Sequence, residues 1–198
     1  MMRRLLGVVC ALSLTGCLMA GTAIYEGARG AGARTAGTTI YETARDERSF
    51  ATQAGDEKIK LQIMKNLLTS DVKGTGGLDV FCSQGSVVLV GVVEEGSQAG
   101  DEAVRIARAV EGVRWVDTYF VPSRPSRARD FVIKEKTKAR LIADYELVAS
   151  QVDMAVYAGN VVLVGVVDRQ EKIDGIIAHA RAVDGVVEVR SFIQIKAQ

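Results

Sequence analysis

The chain has one histidine, one tryptophan, two prolines and three cysteines in 198 residues, and each scarcity excludes something. A single imidazole, His179, with no cysteine or carboxylate cluster beside it in sequence, excludes a histidine-built metal site and any convincing Ser/His/Asp set. Neither enzymatic activity nor a cofactor is expected. Few prolines, in a chain that is 48% hydrophobic and 25% charged, argue against a disordered composition. The net charge is only +1, so the basic excess of a nucleic-acid binder is missing. Nothing points to a small-molecule substrate: Gly74-Thr75-Gly76-Gly77 lacks the Lys-Ser/Thr of a phosphate-binding loop. No apolar run reaches the roughly 20 residues that cross a bilayer.

The N-terminal apolar run, residues 5–14, follows Arg3 and Arg4 and ends in Leu14-Thr15-Gly16-Cys17. This is the layout of an export signal rather than a span, and its end resembles the lipobox of bacterial lipoproteins. The resemblance implies removal of residues 1–16 and acylation of Cys17, palmitate included. Several acyl chains on one residue would anchor the chain stably. Leu18, where an aspartate would signal inner-membrane retention, implies sorting to the outer membrane with the chain facing the periplasm. Residues 1–16 hold two of the 25 basic residues and no acidic one, so removing them leaves 23 against 24, a net −1. Cys10 would leave with the signal and Cys17 would be modified. Cys82 then stands alone, which excludes an internal disulfide and makes it a buried core thiol by expectation.

Residues 17–55 are rich in Gly, Ala and Thr, and GTAIYEGAR at 21–29 recurs as GTTIYETAR at 37–45. A lipidated flexible tether is expected there, with Ile24-Tyr25 and Ile40-Tyr41 free to dip into a lipid interface or pack on a domain. Beyond the tether the chain repeats itself. VVLVGVV at 87–93 recurs letter for letter at 161–167, and AVRIARAVEGVRWV at 103–116 answers IIAHARAVDGVVEV at 176–189. The offset is 74 residues between Gly91 and Gly165 and 73 between Gly112 and Gly185. A duplicated module follows, and two copies make a pair of small domains rather than a solenoid.

Apolar residues Ile59, Ile63, Met64, Leu67 and Leu68 recur at helical spacing, which predicts a helix over 56–70 with Asp56 as its N-cap. Strands are expected at 78–83 and 86–93, joined by a tight turn, then a helix at 97–110 closed by Gly112, then a strand at 114–121. The second copy predicts a helix at 130–144, strands at 151–157 and 160–167, a helix at 169–183 closed by Gly185, and a strand at 186–195. The fold class is α+β: two tandem α-β-β-α-β modules, each a three-stranded mixed sheet with two helices on one face. The modules occupy 56–122 and 130–198, with a linker at 123–129. Near-continuous valines imply that both faces of each sheet are covered, and Gly91 implies a close backbone approach. Trp115, with Val187 taken as its counterpart, is expected in the core or between modules, joined by Tyr119 and Phe120.

The pattern G-x-V-x-L-x-G-x-V at 85–93 and 159–167, in this element order, resembles the BON domain. Two such domains behind a lipobox resemble the dual-BON outer-membrane lipoproteins. That resemblance implies binding to an anionic phospholipid membrane through the first helix of the second module, in support of outer-membrane integrity. A periplasmic adaptor for an envelope protein partner is the alternative. Residues 123–140 carry seven basic residues against Asp130 and Glu135. The 74-residue offset places Ile133, Thr137 and Leu141 on the core positions of the first copy and sets Lys138 where Met64 stood. Phe131, Lys134 and Lys138 share one stripe. With Arg127 and Arg140 they form the candidate phospholipid-binding set. The residues alone fit equally a solvated helix face on which Phe131 is a staple to the core; the resemblance implies the lipid surface. Phenylalanine there is a weaker interfacial anchor than tryptophan.

Overall fold

The first helix begins earlier than its sequence signal. The computed structural model describes residues 50–145 and 152–196. The export signal, Cys17 and the tether up to residue 49, with Ile24-Tyr25 and Ile40-Tyr41, lie outside the described residues. Helix α1 spans Phe50–Leu68, so Asp56 lies inside it and is not its cap. Strands β1 (Asp79–Ser83) and β2 (Ser86–Val92) form an antiparallel hairpin. Helix α2 (Ala99–Arg108) then carries the chain over, and β3 (Trp115–Val121) pairs with β2 in parallel. A parallel pair needs such a crossover. The second module repeats the order with α3 (Arg127–Tyr145), β4 (Val152–Tyr157), β5 (Asn160–Val167), α4 (Gln170–Arg181) and β6 (Glu188–Ile195). Helix α3 thus begins within the stretch expected as linker.

Both helices of each module lie on one face of its sheet. Val87 and Leu89 pack with Ile63, Leu67, Ala103 and Ala107. Their counterparts Val161 and Leu163 pack with Ile133, Leu141, Ile176 and Ala180. The alternate valines point the other way. Val88 and Val90 meet Val162 and Val164, with Ala155 and Tyr157, in a third apolar cluster. The two sheets therefore stack on each other, and the layers run helices, sheet, sheet, helices. Side chains alternate across a strand, so a strand buried on both faces must be apolar along its length, and β2 and β5 are so after their first residues, Ser86 and Asn160. All three clusters close within residues 59–193, and Arg45–Gln198 is a unit with its own core.

Three expectations about apolar residues change. Met64 and Leu68 are 38% and 69% exposed, because the face that Ile63 and Leu67 present to the sheet is too narrow to include them. Trp115 is 72% exposed, on the outer edge strand of its sheet and not between modules. Strand register pairs Ser86 with Trp115 and Asn160 with Glu188, so Glu188, not Val187, is its counterpart. Tyr119 does join the inter-sheet cluster, while Phe120 packs on the helical side.

Gly91 is where the backbones crowd. A Cβ there would sit 2.6 Å from Leu78 Cδ2 and 3.3 Å from Leu78 Cα. Gly91→Ala should therefore cost about 1–3 kcal/mol by overpacking, seen as a lower urea midpoint at unchanged slope.

Candidate functional site

Each first helix is pinned to its hairpin by a buried aspartate. The β1–β2 turn holds Gln84 and Gly85 at φ 52° and 74°, and the β4–β5 turn holds Ala158 and Gly159 at 53° and 80°. Two successive positive φ values suit a two-residue hairpin turn. They also aim two amides at one point. Asp56 accepts from Gln84 N at 2.8 Å and Gly85 N at 2.9 Å. Asp130 accepts from Ala158 N at 3.1 Å and Gly159 N at 2.9 Å. The buried Cys82 thiol lies 3.5 Å from Asp56 Oδ1. Sequence reading missed these anchors, although both aspartates and both turns recur at the 74-residue offset.

Arg124 has no such precedent, since Phe50 stands 74 residues before it. Its guanidinium donates to Asp130 Oδ2 at 2.8 Å and to the Val156 carbonyl at 3.2 Å, and lies 4.5 Å over the Tyr157 ring. Tyr157 in turn donates to Asp79 Oδ2 of the first module at 2.9 Å. Arg124 is thus committed to the second module's Asp130 and Tyr157 and does not add to a free basic surface. Burial, then the neighbouring Asp79 carboxylate, pushes the Tyr157 hydroxyl from 10.0 up to about 12. The unfolded chain loses that proton first, so stability should fall as pH climbs from about 10 to about 12. Tyr157→Phe should lack that slope, as urea melts of both forms across the window would reveal.

Along α3, Asp130, Ile133, Thr137 and Leu141 are buried. Thr137 is accommodated there because its hydroxyl donates to the Ile133 carbonyl at 2.8 Å. Helical spacing puts Arg127, Phe131, Lys134 and Lys138 together on one flank of that buried strip. Arg140 falls on the opposite flank, where it donates to the Ala182 carbonyl at the end of α4. Four of the five candidate residues are therefore brought together, and Arg140 stands apart from them. Phe131 is 62% exposed. His179, half-buried on α4, has no metal-binding company: among the described residues no group of three or more His, Cys, Asp or Glu could hold an ion.

The Lys134 and Lys138 flank faces α1 across a cleft of about 350 Å³. Its lining comes from equivalent positions of the two modules: Lys60 with Lys134, Met64 with Lys138, Leu78 with Val152, Val80 with Met154. Strands β1 and β4 form the floor and the first helices form the walls.

Comparison with known proteins accords with this duplicated architecture. The BON domain pattern matches residues 55–121 and again 129–197. The chain belongs to the BON-domain family. It is 33% identical over 147 residues to the osmotically inducible protein Y of Escherichia coli (strain K12), covering 71% of this chain and 73% of that protein. The C-terminal domain of CdsD, a structural protein of the type III secretion system of Chlamydia trachomatis, aligns over 72% of this chain and 67% of that one. Its identity is 16% and its TM-score 0.30, too distant to carry an argument.

The two BON domains differ at one telling place. In the first, Glu57 and Lys60 form an i,i+3 ion pair at 3.6 Å. In the second, the same positions hold Phe131 and Lys134. The acid is replaced by an exposed aromatic, and Lys134 is left without an ion pair among the described residues. Lys58 is likewise replaced, by Val132, which is 49% exposed.

Proposed function

We propose that this chain is a non-enzymatic, lipid-anchored protein of the bacterial envelope whose second BON domain binds anionic phospholipid. Cys17 holds it to the periplasmic face of the outer membrane, and the α3 flank of Arg127, Phe131, Lys134 and Lys138 makes a second contact. The observation that carries this reading is the exchange of the Glu57–Lys60 pair for Phe131 and a Lys134 without an ion pair among the described residues. A solvated helix face gains nothing from an exposed phenylalanine. At a headgroup layer the ring enters the interface and the freed amines meet phosphate. Attachment through acyl chains raises the local lipid concentration, so a weak second contact suffices. Such binding would support outer-membrane integrity by keeping the folded unit against the leaflet.

Cosedimentation of residues 45–198 with vesicles tests this. Binding is expected to vesicles of phosphatidylglycerol in phosphatidylcholine, none to phosphatidylcholine alone, with loss as salt shortens the screening length. Equal binding to both, or none to either, overturns the reading. A second reading, a periplasmic adaptor, draws on Trp115, 72% exposed at the start of outer edge strand β3. Tryptophans of this kind anchor protein interfaces. It predicts a stoichiometric protein complex that survives salt and is lost in Trp115→Ala.

A further inference from the structure

We propose that the cleft between the two BON domains binds a single anionic amphiphile, one acyl chain bearing a phosphate or carboxylate head. The site is distinct from the membrane-facing ring of Phe131, although Lys134 and Lys138 border both. Three features of the cleft converge on this ligand class. Its floor is apolar, built of Val80 of β1, Val152 and Met154 of β4, and Leu78 just before β1, and its volume of about 350 Å³ falls in the range of small-molecule sites. Its walls carry three amines, Lys60 from α1 and Lys134 and Lys138 from α3. Lys134 and Lys138 make no ion pair among the described residues. Two carboxylates, Asp79 and Asp153, also line it, but Asp79 accepts the Tyr157 hydroxyl. An acyl chain on the floor would place an anionic head among the amines.

A bare phosphate would leave the apolar floor wet, and a neutral amphiphile would leave Lys134 and Lys138 without the anionic partner that Lys60 already has in Glu57. Neither alone fits both parts of the lining. Because each wall comes from a different BON domain, the site exists only in the tandem arrangement, and a single module could not form it.

Calorimetric titration of residues 45–198 with dodecyl phosphate below its micelle concentration provides the test. One molecule per chain is expected, with inorganic phosphate and dodecyl maltoside each at least about tenfold weaker, the charged head and the apolar chain each contributing. Lys60→Glu removes an amine and adds a like charge to the head. It should weaken dodecyl phosphate about tenfold or more while leaving vesicle cosedimentation nearly unchanged. Phe131→Ser should do the reverse. Lys60→Gln, which adds no charge, should give a smaller loss in the same direction. No one-to-one binding, or binding indifferent to Lys60→Glu, or binding lost with Phe131→Ser, would each overturn the proposal. Vesicle binding intact with no dodecyl phosphate binding would reject the cleft and keep the membrane contact.

Discussion

Asp130→Ala should lower the thermal midpoint further than the same substitution at Asp56. Both carboxylates are buried, at 2% and 5% exposure, and both hold two amides of a hairpin turn. Removing Asp56 leaves those amides without their acceptor, a loss of about 1–3 kcal/mol. Removing Asp130 does the same and also strands the Arg124 guanidinium, whose side chain is only 24% exposed. Leaving one member of a largely buried pair uncompensated costs about 3–5 kcal/mol. In a unit of this size that is a fall of roughly 10 °C. Asp130→Asn keeps one acceptor and should fall between. Differential scanning calorimetry of the three variants decides the matter. Equal losses at Asp56 and Asp130 would mean that the Arg124 pair contributes nothing.

The second large effect is on membrane affinity. Lys134→Glu/Lys138→Glu changes the α3 flank by four charge units. At roughly 1 kcal/mol per charge near an anionic surface, binding to phosphatidylglycerol vesicles should weaken by about a hundredfold or more. The control matters as much as the variant. Lys58→Glu/Lys65→Glu on α1 alters net charge identically, yet that helix has no exposed aromatic in place of Glu57. Its vesicle affinity should drop by less than about tenfold, since only long-range attraction is lost. Equal losses in the two double variants would reduce the interaction to net charge and remove α3 from it.

The geometry explains why the two BON domains can share a fold and differ along their first helices. Core positions are held by the sheet, so Ile63 and its counterpart Thr137 must both be buried, and threonine succeeds only by bonding its own helix. The flank positions answer to nothing in the core. There Glu57 and Lys58 gave way to Phe131 and Val132, and Met64 to Lys138, without disturbing the packing. These exchanges lie on the flanks of α1 and α3, and one exchanged pair, Met64 and Lys138, faces the cleft from its two walls.

Much of this was legible in the chain because it depends on local period and on repetition. Alternation and helical spacing set the element order of both modules. The identical VVLVGVV segments aligned the copies, and the unbroken valines already implied cover on both sheet faces. Helix boundaries were less legible: Asp56 looks like a cap because aspartate favours that position, yet it is buried inside α1 to receive a turn 28 residues away. Trp115 looked like core because large aromatics usually are.

The amino-acid sequence by itself determined the two modules, their α-β-β-α-β order, the core valines and the basic excess of residues 123–140. Only the tertiary structure decided what the second sheet faces meet, that Arg124 is committed to Asp130 and Tyr157, that Arg140 turns away from Lys134 and Lys138, and that a cleft opens between α1 and α3. The physical reason is one of range. Periodicity and charge are written in neighbouring residues, whereas a stacked interface, a buried ion pair and a shared cleft depend on which distant surfaces exclude water together.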